Sequence, residues 1–192
     1  APLTRDILEA VQRGGAITRQ LLDFSRDMEL SIQVVDIKAV IGRVVAFLAR
    51  EADQKSIQVT VDIPRPIKGF ECDQGCLQQI FLNLFNNAFA AMDSGGRLAV
   101  SVRLKEKKTV VIRVTDDGCG IAGRDLTRVF EPFYKSREDH HSTGMGLSIT
   151  YGLVQEAGGD IRVKSTVGKG TCFTLTFPLK ARNPQTQQDG EE

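Results

Sequence analysis

The feature that most constrains this sequence is a pair of alternating apolar runs, RLAVSVRL from Arg97 and TVVIRVTD from Thr109, separated by the polar stretch Lys105 to Lys108. Period-two alternation puts every second side chain on one face of a strand, so two such runs around a short polar link predict an antiparallel hairpin with one apolar face. That face needs a covering layer, and the surrounding sequence supplies candidates for it.

Ile37, Val40, Ile41, Val44 and Leu48 form a helical stripe, with Asp36 as its cap and an end near Asp53. Leu77, Ile80, Phe81, Leu84, Ala88 and Ala91 form a second stripe from Gln74 to Met92, ended by Asp93-Ser94-Gly95-Gly96. A third helix runs from Gly144 to about Ala157 and stops at Gly158-Gly159. Strands are predicted at SIQVVD, at Ile57 to Pro64, where proline ends the run, and at Ile161 to Ser165 and Thr171 to Phe177 around the turn Val167-Gly168-Lys169-Gly170. Three helices and about five strands, paired mainly as antiparallel neighbours, imply a two-layer α/β sandwich with the helices on one face of a mixed sheet.

In front of this domain, Ile7, Ala10, Gly14, Ile17, Leu21, Phe24 and Met28 recur at alternating spacings of three and four, the seam of a heptad. Such a helix seeks a partner helix, in a second copy or in the same parent chain. The expected division is a partial helical module at 1–29, a catalytic domain at 30–179 and a disordered polar tail at 180–192. The chain reads as a piece of a longer parent.

Lys and Arg number 25 and Asp and Glu 24, so the net field offers no general attraction to nucleic acid or anionic lipid. The cysteines, Cys72, Cys76, Cys119 and Cys172, show no CxxC spacing and read as free thiols in a reducing compartment. No apolar run approaches the ~20 residues that span a bilayer, so a cytoplasmic location with no membrane contact by this piece is expected. The parent can carry an anchor elsewhere.

Several segments can carry chemistry. Asn83 and Asn87 lie four apart on one helical face; the pair reads either as packing amides or as oxygen donors for Mg²⁺. Asp116-Asp117-Gly118-Cys119-Gly120 ends a strand in carboxylates followed by glycines, which suits either an acidic turn or an acceptor facing the exocyclic amine of adenine. Gly144-Met145-Gly146-Leu147 opens a helix, where free backbone N–H groups and the helix dipole favour phosphate. Phe130-Glu131-Pro132-Phe133-Tyr134 is an aromatic cluster inside polar chain, either the seat of a lid or a satellite core. Lys135 and Arg137 follow it as candidate phosphate contacts. Neither phosphate loop GxxxxGK[ST] nor a GxGxxG behind a first strand is present.

In order, NLFNNAFAAM, DDGCGI, FEPFYKS, GMGLSI and GKGTCFTLTFP resemble the asparagine box, first glycine box, phenylalanine box, second glycine box and final Gly-Thr element of sensor histidine kinase catalytic domains, in the superfamily that also holds gyrase-type and MutL-type ATPases. GAITRQLLDFSR is similar to the end of the second dimerisation helix of such kinases.

The resemblance implies MgATP as ligand, with Asn87 as the Mg²⁺ ligand and Asn83 where hydrolytic relatives place a general-base glutamate. It implies Asp116 as acceptor for adenine N6 with Thr171 nearby, and Gly118, Gly120 and Ile121 as the pocket floor. Phe130 and Phe133 would anchor the lid, and Lys135, Arg137, Thr143, Gly144, Met145, Gly146 and Leu147 would surround the phosphates. Ser142 and Asp117 depart from the boxes, where glycine and asparagine are usual, and Asp117 is expected to alter the charge beside Mg²⁺.

The implied reaction moves the γ-phosphoryl group to a histidine on a dimerisation helix upstream of Ala1, not to His140 or His141. The implied partners are those phosphoacceptor helices, a response regulator receiver domain and a second copy through residues 1–29. The alternative is a nucleotide-gated interaction module without phosphoryl transfer.

Overall fold

In the computed structural model the chain divides between Leu30 and Ser31 into two units, and the structure describes residues 31–135 and 143–181 of the second. The heptad seam and its dimer role lie outside the described residues.

The chain enters as the short strand β1 (Ile32–Val34) and turns at Asp36 into α1 (Ile37–Gln54). Asp36 has extended backbone, and its carboxylate accepts the Lys38 and Ala39 N–H groups at 2.9 and 3.2 Å, satisfying donors that a helix start leaves orphaned. The predicted stripe, Ile37, Val40, Ile41, Val44 and Leu48, is buried.

After the edge strand β2 (Gln58–Asp62) comes β3 (Glu71–Asp73), which pairs antiparallel with β1 as a separate ribbon. Asp73 then caps α2 (Gln74–Ala91) through its carboxylate and the Cys76 N–H, 2.8 Å apart. The hairpin follows as β4 (Arg97–Lys105) and β5 (Thr109–Asp116), then α3 (Gly146–Glu156), β6 (Asp160–Thr166) and β7 (Gly170–Pro178). The hairpin turn holds Glu106 and Lys107 at φ 52° and 56°, the left-handed conformation that tight hairpins demand and glycine or asparagine usually supplies.

The main sheet has the order β2-β4-β5-β7-β6, antiparallel throughout except for the parallel pair β2 and β4. Alternate residues Leu98, Val100 and Val102 on β4, Val110, Ile112 and Val114 on β5, and Phe173, Leu175 and Phe177 on β7 are buried with the helix stripes. Arg97, Arg103, Arg113, Arg162 and Lys164 occupy the opposite, solvent-facing register positions. This is the expected two-layer sandwich, with seven strands where about five are predicted.

Cys72 and Cys76 are buried, which pushes their thiols up to about 11 and about 12. At the start of the expected tail, Lys180 pairs with the Glu71 carboxylate, and the Ala181 N–H donates to the same group at 3.3 Å. The remainder, 182–192, lies outside the described residues. Among the described residues no helix is long and apolar enough to cross a membrane.

Candidate functional site

The first wall is the C-terminal end of β5. Asp116 is 6% exposed, and its Oδ1 accepts the Gly118 N–H at 3.0 Å and the Thr171 N–H at 3.2 Å. Burial pushes its carboxyl above the usual range despite these two bonds. Both of these bonds fall on Oδ1, which leaves acceptor capacity on the other oxygen for a ligand donor.

Glycines let the neighbouring backbone close in. A Cβ on Gly118 would stand 2.7 Å from the Ala91 carbonyl oxygen, one on Gly120 2.2 Å from that of Thr166, and one on Gly170 2.0 Å from that of Asp116. The last of these contacts was not anticipated. Asp117 Oδ1 accepts the Arg97 N–H at 2.7 Å. This bond ties the carboxylate to the start of β4.

The second wall is α2. Asn83, 6% exposed, accepts from Gln79 Nε2 at 3.1 Å and donates to the Gly146 carbonyl at 3.1 Å and to Thr150 Oγ1 at 3.3 Å. Both ends of its amide are thus engaged, and they clamp α2 to the first turn of α3. Asn87, one turn on, behaves differently. Its Nδ2 is buried without a partner, the only such side-chain nitrogen or oxygen among the described residues, and a Cβ on Gly146 would lie 3.8 Å from it.

A buried amide without a partner is costly. A phosphate oxygen would satisfy its nitrogen, and a half-turn about the last side-chain bond would present its oxygen to a cation instead. The residue therefore fits a Mg²⁺ held partly by phosphates and water.

The third wall is the start of α3. Met145 precedes the helix with no side-chain cap, and its N–H reaches Thr143 Oγ1 at 3.4 Å. The N–H groups of the first turn therefore point outward with the positive end of the helix dipole. Gly144 takes φ 71°, and a Cβ there would meet the Phe133 backbone at 2.8 Å. Met145 is buried and Leu147 packs against the core, so these two contribute backbone rather than side chain.

Between the first and third walls the chain advances through successive turns from Ala122 to Tyr134, held by bonds such as Arg128 N–H to Asp125 O at 2.9 Å and Glu131 N–H to Arg128 O at 2.9 Å. Phe130 seats this segment, its ring 5.5 Å from that of Tyr151 and 6.5 Å from that of Phe173. Phe133 does not share that seat: it is 71% exposed, at φ 63°, and its backbone, not its ring, meets Gly144. Lys135 is exposed at the segment's end. Arg137, His140, His141 and Ser142 lie outside the described residues.

Sequence reading missed Ser165. Its hydroxyl accepts the Ile121 N–H at 2.8 Å, donates to the Gly170 carbonyl at 2.8 Å and lies 3.0 Å from Thr171 Oγ1. Nothing in the run IRVKST marks it, because its role follows from the register of β6 against β7.

The family model for histidine kinase-, DNA gyrase B- and HSP90-like ATPases matches residues 72–181. Sensor kinase CckA of Brucella abortus is 35% identical over 92% of this chain and 20% of its own length, and sensor histidine kinase ZraS of Salmonella typhimurium is 30% identical over 97% and 39%. The chain thus spans about a fifth to two fifths of these curated relatives. Among solved structures, the mycobacterial sensor histidine kinase MprB superposes with TM-score 0.66 at 27% identity, over 78% of this chain and all of that one. Full-length ShkA in complex with AMPPNP gives 0.77 at 27% identity, over 93% of this chain and 40% of that one. The chain belongs to the histidine kinase-, DNA gyrase B- and HSP90-like ATPase family and carries the catalytic ATP-binding domain of a sensor histidine kinase.

Proposed function

We propose that this domain binds MgATP and passes the γ-phosphoryl group to a histidine on a dimerisation helix of its own kinase, in two-component signalling. The observation that carries the reading is the buried, unpartnered amide of Asn87 facing the uncapped start of α3. A phosphate-bound cation would answer both features, and the AMPPNP bound to ShkA supports a nucleotide as its source.

In this reading Asp116 accepts the adenine N6 amine, with Thr171 beside it. Gly118, Gly120 and Ile121 form the floor under the base. The N–H groups of Gly146 and Leu147 hold phosphate oxygens, joined by Thr143, Lys135 and Arg137 from the lid. Mg²⁺, where bound by Asn87, supplies charge neutralisation across the phosphates. The chain's own contribution is alignment and exclusion of water. Asn83 supplies no base, because an amide does not take a proton from water near neutrality; this favours transfer to a positioned imidazole over hydrolysis.

The proposed partners are the phosphoacceptor helices, a receiver domain and a second copy through residues 1–29. The proposed location is the cytoplasmic side of a parent that can be membrane-anchored.

Calorimetric titration with a nonhydrolysable ATP analogue tests the reading. Binding is expected to need Mg²⁺ in the wild type and to be lost in Asn87→Ala; absence of wild-type binding with and without Mg²⁺ would overturn it. Incubation with γ-labelled ATP is expected to leave His140 and His141 unlabelled, and stable phosphohistidine at either would overturn the assignment of the acceptor.

A further inference from the structure

The Ser165 hydroxyl sits where three groups of the base pocket meet, and its single proton has consequences. A serine hydroxyl carries one donor and two acceptor sites. The bond to the Gly170 carbonyl at 2.8 Å uses the proton, and the Ile121 N–H at 2.8 Å uses one lone pair. Only a lone pair then remains for Thr171 Oγ1, 3.0 Å away, so in that contact Thr171 is the donor.

With its proton directed at Ser165, Thr171 keeps only acceptor capacity for anything else that approaches. Thr171 is the cross-strand partner of Asp116, both are buried, and the Thr171 N–H already binds Asp116 Oδ1 at 3.2 Å. The pocket end therefore offers a carboxylate and a hydroxyl that both accept.

We infer that Ser165 is a specificity-determining residue: by fixing the Thr171 hydroxyl as an acceptor, it makes the pocket select a purine with a 6-amino group over one with a 6-oxo group. Ser165 itself acts through Thr171 and the Ile121 backbone, and is a positioning residue. A 6-oxo purine would set an acceptor at position 6 against two acceptors, and its single N1–H could serve only one of them, leaving buried acceptors unpaired. Without Ser165 the Thr171 hydroxyl is free to turn and donate to the 6-oxo oxygen.

The same stitch joins the turn between β6 and β7 to the pocket floor: the Gly168 N–H donates to the Cys119 carbonyl at 2.8 Å, and Gly120 passes against the Thr166 carbonyl. Removing the Ser165 hydroxyl therefore leaves other ties in place, and its substitution is expected to leave the domain folded.

The inference rests on Asp116 being the base contact, so the experiment carries its own control. ADP and IDP, whose bases differ in the 6-amino or 6-oxo group and in the N1 atom beside it (acceptor in ADP, N–H in IDP), are titrated with Mg²⁺ into the wild-type chain, S165A, S165C, S165T and D116N. The wild type is expected to prefer ADP. S165A and S165C are expected to narrow the ADP-to-IDP affinity ratio by about three- to tenfold, whereas S165T, which retains the hydroxyl, keeps it. A general loosening of the pocket would weaken both nucleotides together and leave the ratio unchanged. An unchanged ratio in folded S165A or S165C would overturn the inference while D116N, still weakened towards ADP, upheld the site. No ADP binding by the wild type, or none lost in D116N, would instead remove the site itself.

Discussion

Asp116 shows at the scale of one residue how a site opposes its own fold. Its native carboxyl holds a proton more tightly than an exposed one because burial outweighs the Gly118 and Thr171 N–H bonds. The folded chain therefore binds more protons at this group than the unfolded chain, so the stability associated with it is present at acid pH and declines as pH rises through the native value. Asparagine in its place can still accept both N–H bonds through Oδ1 but carries no charge to desolvate. In nucleotide-free protein D116N is expected to melt no lower than wild type at neutral pH, and to lose the part of the acid-to-neutral decline that belongs to this group. ADP affinity is expected to fall by about ten- to a hundredfold, the scale of a hydrogen bond to a charged group. Scanning calorimetry against pH, with titration calorimetry for ADP, checks both halves. A melting point clearly below wild type together with unchanged affinity would make Asp116 a structural residue.

Between elements, the contact that fixes the third wall is the Asn83 amide, which ties α2 to the start of α3 through Gly146 O and Thr150 Oγ1. Removing it in N83A leaves the Gln79 amide to find another partner and the Gly146 carbonyl with the Thr150 hydroxyl in place of two side-chain donors, and is expected to cost about 1–3 kcal/mol in urea unfolding. T150V removes part of the same network, so the double variant should lose less than the two single losses combined. Strict additivity would mean that the hydroxyl and the amide act separately. The helices themselves were legible from sequence because their stripes repeat over several turns, and so was the hairpin, because its alternation is long. β3 was not: Glu71–Asp73 is too short to alternate, and the capping by Asp73 appears only once the strand before it is known. The spacing of Asn83 and Asn87 placed both on one face, but only packing against α3 separates a saturated amide from an unpartnered one. In FEPFY the sequence could not say which ring turns inward, since that depends on the left-handed backbone at Phe133.

Across the whole described domain, resistance to opening should vary as the support of each segment does. β5 is hydrogen-bonded on both sides, by β4 and β7, and its inward side chains are buried. Residues 122–134 belong to no strand or helix and are held by turn bonds, buried Val129, the seat at Phe130, the Arg128–Glu131 ion pair, and a brace in which Tyr134 Oη donates to Asp125 Oδ1 at 2.8 Å while the Arg128 guanidinium stands 4.4 Å from the Tyr134 ring centre. Local opening is least costly where buried apolar contacts are few, so this segment is expected to open more readily than the sheet. Hydrogen exchange read by mass spectrometry is expected to show amides of 122–134 exchanging on the order of a hundredfold faster than those of β5. Mg-ADP should slow them, because a ligand that binds the closed arrangement stabilises it. Tyr134→Phe, which removes only the hydroxyl, should speed exchange in the segment and leave β5 unchanged. If the segment proved as protected as β5 without nucleotide, the turns and the Phe130 seat would form a fixed satellite of the core, and nucleotide would have to enter past a wall that does not move.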